Sequence, residues 1–183
     1  MKLPASLILQ ILFCLFAFQG YSQKANTASK VIVSPNPLPT NDQRKKIFLA
    51  GSIEMGSAED WQKQVSEQLA AQPVVILNPR RADWNPAWKP EITDPHFQQQ
   101  VEWELNALEK ADLIIMYLAP GTQSPISLLE LGLYAQSGKL LVCCPAGFWR
   151  KGNVDIVCEK YGIQQFESLP ALMAALEKKL SQR

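Results

Sequence analysis

The chain has 183 residues, 47% of them hydrophobic and 19% charged, which is enough for one full core and excludes a disordered chain. Lys and Arg total 18 against 17 Asp and Glu, so no basic excess exists to hold a nucleic-acid backbone.

The first segment reads as a targeting signal. Lys2 precedes an apolar stretch from Leu7 to Phe18, broken only by Gln10, and Gly20 and Ser22 supply small residues at the two key cleavage positions. The stretch is shorter than the roughly 20 residues a membrane span needs. A cleaved signal peptide over 1–22 is therefore expected, with export to a periplasmic or secreted location; an uncleaved membrane anchor is the alternative. With Cys14 removed, Cys143, Cys144 and Cys158 remain. They permit one bridge, from Cys158 to either neighbour, or serve as small core residues, the simpler reading. There is no CxxC spacing and His96 is the sole histidine, so a zinc site is not expected.

Residues 23–44 are polar and carry Pro35, Pro37 and Pro39, the composition of an extended linker, with Val31 to Val33 as an edge-strand candidate. The domain proper is expected over 45–183. Ile47 to Ala50 is a buried strand ending in a Gly51-Ser52 turn. Ala58 to Ala71 is a helix with Trp61, Val65 and Leu69 on one face. Val74 to Leu77 is a second strand, followed by a long loop. Phe97 to Lys110 is a helix with Val101, Leu105 and Leu108 facing inward. Leu113 to Leu118 is a third strand. Pro125 to Gln136 is a helix with Ser124 as its N-cap. Leu140 to Cys144 is a fourth strand, Asn153 to Tyr161 a helix, Ile163 to Phe166 a fifth strand and Leu169 to Leu180 a closing helix.

Solid apolar strands alternating with helices predict an α/β, doubly wound parallel sheet covered on both faces. The flavodoxin-like order 2-1-3-4-5 suits five strands at this size, and ligands then bind beyond the C-terminal strand ends, between strands one and three. Glu130 lies in the helix that opens there, among Leu128, Leu129, Leu131 and Leu133; it is either a desolvated functional carboxylate or an exposed acid paired with Lys139. Glu104 lies in the first half of the preceding helix. Two carboxylates reaching one cleft can divide nucleophile and acid/base roles at a glycosidic bond. The turn Gly51, Ser52, Ile53 offers amides and a hydroxyl for an anion. Asn78, Arg80, Asp83 and Trp84 follow strand two, where Arg with Trp suits a phosphate or a stacked base, or simply a solvated loop.

Taken together, IFLAGSI, NPRRADW, QVEWELNALEKAD, ISLLELGLYAQSGK and CPAGFWRKGNV, in this order and spacing, resemble the nucleoside 2-deoxyribosyltransferase-like family, from about Ile47 to Tyr161. The resemblance implies that Glu130, in LLELGLYA, attacks the anomeric carbon of a 2'-deoxynucleoside and that Glu104 is its acid/base partner. It also implies homo-oligomers. Where the family's transferases carry a tyrosine that hydrogen-bonds the nucleophile, this chain has Phe48. Where they carry an aspartate on the sugar hydroxyl, it has Ser124. The related 2'-deoxynucleoside 5'-phosphate N-hydrolases have a serine there, on the 5'-phosphate, so Ser52 and Ser124 lean toward a phosphorylated ligand unless Ser124 only caps its helix. The expected function is glycosyl transfer or hydrolysis at the N-glycosidic bond of a deoxynucleoside or its monophosphate, which calls for no metal or cofactor. The alternative is a non-catalytic nucleotide-binding or sensing protein using the same cleft.

Overall fold

The apolar runs 47–50, 74–77, 114–116 and 140–143 become the central strands of one parallel sheet, because only a sheet covered on both faces can bury every residue of such a run. The computed structural model describes residues 28–182; the signal-peptide reading of 1–22 lies outside them. The strands are β1 (Lys30–Val33), β2 (Lys45–Gly51), β3 (Val74–Asn78), β4 (Leu113–Tyr117), β5 (Leu140–Cys143) and β6 (Gln164–Phe166). The helices are α1 (Trp61–Gln68), α2 (Pro95–Lys110), α3 (Pro125–Tyr134), α4 (Lys151–Tyr161) and α5 (Leu169–Ser181). Among the described residues no helix is long and apolar enough to cross a membrane.

The sheet has six strands in the order β1-β3-β2-β4-β5-β6, every neighbouring pair parallel. This corrects the expected five strands in order 2-1-3-4-5. The five-strand order is contained in it, but Lys30–Val33 adds a sixth strand beside β3. Backbone pairing draws that segment in despite its weak apolar signal, since only Ile32 of its four residues is buried.

Alternation along the strands sends side chains to two cores. Phe48, Ala50, Ile114, Met116 and Val142 face α2, α3 and α4, through Trp103, Ala107, Leu131, Val154 and Cys158. Ile47, Leu49, Ile76, Ile115 and Leu141 face α1 and α5, through Trp61, Val65, Leu172 and Leu176. Each fully buried large side chain contributes roughly 1.5–3 kcal/mol. Cys143, Cys144 and Cys158 are free and buried.

One helix face differs from expectation. Leu105 of α2 is exposed, whereas Gln100, Trp103, Ala107 and Leu108 are buried. Trp103 brings the largest apolar surface to the sheet, and its Nε1 donates to the Asn36 carbonyl at 2.7 Å, which rotates the helix toward it. Asp94 caps α2 by accepting from His96 and Phe97 amides, and Pro95 suits the first turn. The helix therefore starts earlier than expected, and Glu104 stands just past its midpoint.

Candidate functional site

Both candidate carboxylates project from helices on the same face of the sheet, Glu104 from α2 and Glu130 from α3. Glu130 is buried to 7% exposure together with Ser127, one turn earlier on the helix. Desolvation, then the charge of Glu104, pushes its carboxyl up to about 8. Glu104 is half-buried, and desolvation raises it to about 7 against the opposing hydrogen bond from Gln100. The charge of Glu104 is therefore felt at Glu130 across the two helices. Lys139 is not the partner of Glu130; its Nζ donates to the Glu109 carbonyl at 2.9 Å. Phe48 is fully buried in the core on this face, and its ring brings no hydroxyl.

The proton held by Glu130 couples to stability. Its folded value lies above the ordinary 4.5, so folding takes up a proton between that value and about 8. The stabilising form is present at low pH and is lost as pH rises through this window. Glu130→Gln keeps the shape without the charge. It is expected to match the wild type in urea denaturation near pH 5 and to exceed it by on the order of 2 kcal/mol near pH 9.

At the start of α3 the hydroxyls behave differently from expectation. Ser52 is fully buried, and its Oγ accepts the Ala119 amide at 2.9 Å while sharing hydrogen bonds with Thr122 and Ser124, both at 2.7 Å. That hydroxyl is committed to joining the ends of β2 and β4. Ser124 holds the N-cap position, but at φ 44 its side chain caps no amide of the helix. The cap comes from a distance: Glu54 Oε1 accepts the Gln123 and Ser124 amides at 3.0 and 2.8 Å. A carboxylate of the chain therefore sits where the helix dipole favours an anion. Sequence reading passed over Glu54 because nothing local marks a cap that is supplied 70 residues away.

The loop after β3 builds its own framework. Asn78 Oδ1 accepts the Arg80 amide, and Arg80 donates to the Gly56, Ala58 and Glu59 carbonyls, pinning the segment that carries Glu54. Asp83 is exposed and paired with Arg81, whose guanidinium also lies 4.8 Å over the Trp88 ring. Trp84 packs edge-on against Trp88, and its buried Nε1 has no hydrogen-bond partner. A buried donor without an acceptor is rare in folded chains. Gly51 lies against the backbone of Tyr117, and the Ile53 carbonyl accepts the Gly56 amide to close the turn. Of the expected ligand contacts, Gly51, Ser52, Ile53, Asn78 and Arg80 thus hold backbone or neighbouring segments. Asp83 is held by Arg81 through both carboxylate oxygens, and Trp84 keeps an unpartnered indole N–H.

Two surface hollows lie elsewhere. One of about 490 Å³ runs between α1 and α5 beside Tyr117 and Met173, and one of about 730 Å³ lies beside Lys30 and Asp42. Neither is lined by Glu104 or Glu130. The carboxylate pair is the candidate for chemistry, because both groups are raised by desolvation and the charge of Glu104 acts on Glu130.

Residues 44–148 match the family model described as nucleoside 2-deoxyribosyltransferase like. That span holds both carboxylates, Glu54 and the loop after β3, and leaves out β1. A search of curated proteins gave no match. Among solved structures, a conserved protein from Enterococcus faecalis V583 superposes with a TM-score of 0.53 at 13% sequence identity, covering 74% of this chain and 99% of that one. At such identity the likeness establishes the fold.

Proposed function

Because this chain belongs to the nucleoside 2-deoxyribosyltransferase-like family, we propose that it cleaves or exchanges the N-glycosidic bond of a 2'-deoxynucleoside or its 5'-monophosphate. The observation that supports this reading is the pair of raised carboxyls on adjacent helices, the charge of Glu104 acting on Glu130. Near neutral pH such a pair holds about one proton between its two groups.

The reactive state is the minor one-proton form, with Glu130 ionised and Glu104 protonated, since Glu104 at about 7 ionises before Glu130 at about 8. Glu130 attacks the anomeric carbon and forms an ester bond while the carbon–nitrogen bond breaks. The electron pair leaves with the base, which takes its proton from Glu104. Water or a second base, deprotonated by the Glu104 carboxylate, then attacks the same carbon and releases Glu130. Trp84 and the Arg81–Trp88 stack offer aromatic surface for the base. Glu54 supports the free nucleoside over the monophosphate, since a phosphate directed at the start of α3 would meet a carboxylate already bound there.

The test is to incubate the purified protein with deoxynucleosides and their monophosphates, with and without a second base, and to follow free base by chromatography. Base release without acceptor identifies hydrolysis, and exchange identifies transfer. Loss of neither substrate's base would end the catalytic reading. Buried Phe48, which offers Glu130 no hydroxyl, favours the second reading of a nucleotide-binding protein without turnover. Ligand stabilisation in a thermal-shift assay with no base released would support it.

We also propose a homo-oligomer. Ile126, Leu129 and Leu133 lie at i, i+3 and i+7 of α3 and are 57%, 59% and 59% exposed, an apolar stripe outside the site. Leu129→Asp is expected to move the protein to monomer in sedimentation velocity.

A further inference from the structure

Gln100 has no assigned role, yet it is buried to 4% exposure and makes four hydrogen bonds. Its Oε1 accepts from Ser34 Oγ at 2.7 Å and from Arg81 Nη1 at 3.4 Å. Its Nε2 donates to the Pro79 carbonyl at 2.9 Å and to Glu104 Oε1 at 2.9 Å. The amide can be placed in only one orientation. A carbonyl such as Pro79's can only accept, and a guanidinium such as Arg81's can only donate, so turning the amide over would set acceptor against acceptor and donor against donor. Three partners from outside α2 therefore fix the group, and its remaining N–H points at Glu104, one turn along the same helix.

We infer that Gln100 is a positioning residue that holds Glu104 Oε1 as an acceptor and directs the transferable proton to Oε2. A protonated carboxyl presents its carbonyl oxygen to a donor more readily than its hydroxyl oxygen, so the N–H at Oε1 leaves the proton on the other atom. The same N–H stabilises the charged form of Glu104 and opposes its desolvation. An acid that must give up its proton in one half-reaction and recover it in the next needs both properties, a fixed proton site and an ionised form within reach. Ser34 follows β1 and lies upstream of the family-matched residues 44–148. Part of this lock is thus supplied by chain outside the matched region.

The inference rests on Glu104 acting as the acid/base partner, and the experiment separates the two. The Glu104 side-chain carboxyl is titrated by carbon-13 NMR in the wild type, Gln100→Leu and Gln100→Met, a readout that needs no substrate. Met is unbranched and close in size, so it keeps the test open if Leu disturbs the helix. Loss of the donor is expected to raise the Glu104 titration by about half a unit or more in the folded variants. Ser34→Ala perturbs the same hub but leaves the N–H to Glu104, and is expected to shift the titration by less than either Gln100 variant. An unmoved Glu104 titration in both Gln100 variants overturns the inference, as does an equal shift in Ser34→Ala. A wild type that releases no base defeats the proposed function alone, with the NMR result still readable.

Discussion

Glu130→Gln is expected to lower base release from a 2'-deoxynucleoside by roughly a thousandfold or more, because an amide cannot form the glycosyl ester. The effect should fall on kcat far more than on ligand affinity, since Gln fills the same volume in the same buried position. Glu104→Gln removes proton donation to the departing base and is expected to cost about 10²–10⁴-fold. The two variants differ in their dependence on pH. Wild-type kcat/KM should follow a bell, rising as Glu130 ionises and falling as Glu104 loses its proton, with its top between about 7 and about 8. In Glu104→Gln the falling limb disappears. The rising limb that remains reports Glu130 alone, at a value below about 8, because the neighbouring charge that helps hold it protonated is gone. Steady-state kinetics across this range decide the matter. A Glu130→Gln enzyme with activity within tenfold of wild type would remove Glu130 from the chemistry.

The second large effect concerns the turn that sets the site's position. Gly51→Ala is expected to destabilise the chain by at least about 3 kcal/mol, lowering Tm by roughly 6–12 °C. Gly51 sits at φ +131, and a Cβ there would lie 2.2 Å from the Tyr117 carbonyl oxygen and 2.7 Å from the Tyr117 nitrogen. Those atoms are backbone of a central strand and cannot step aside as a side chain end can. The neighbouring Ser52 amide donates to the same Tyr117 oxygen at 2.8 Å, so any shift also disturbs the Ser52–Thr122–Ser124 cluster at the start of α3. Gly132→Ala is the control. A Cβ there meets nothing within 4 Å, and Ala in a helix interior gains about 0.5–1 kcal/mol over Gly. Thermal unfolding of the pair should therefore show shifts of opposite sign.

Much of the architecture was legible because its signals are local. Runs such as Ile47 to Ala50 and Val74 to Leu77 are apolar at every position, and only a strand buried on both faces uses such a run. Trp61, Val65 and Leu69 recur at helical spacing and are all buried. Periodicity failed on α2, where the exposed Leu105 carried as strong an apolar signal as the buried positions, and where the deciding contact, Trp103 with Asn36, spans 67 residues. The strand β1 was visible only as a faint edge, since it joins through backbone pairing with β3.

Glu130 could be singled out beforehand as a carboxylate among apolar neighbours on the helix expected to open at the switch point, and Glu104 as one beside the apolar face of the preceding helix. Their residue types and the helices that carry them follow from local preferences written along the chain. The electrostatic coupling of the pair, the seat of Glu54 at the start of α3 and the fourfold satisfaction of Gln100 do not. Each depends on groups up to 70 positions apart meeting at hydrogen-bond or charge range. Residue order constrains such meetings weakly. Packing two helices on one face of a twisted sheet sets them to a fraction of an ångström.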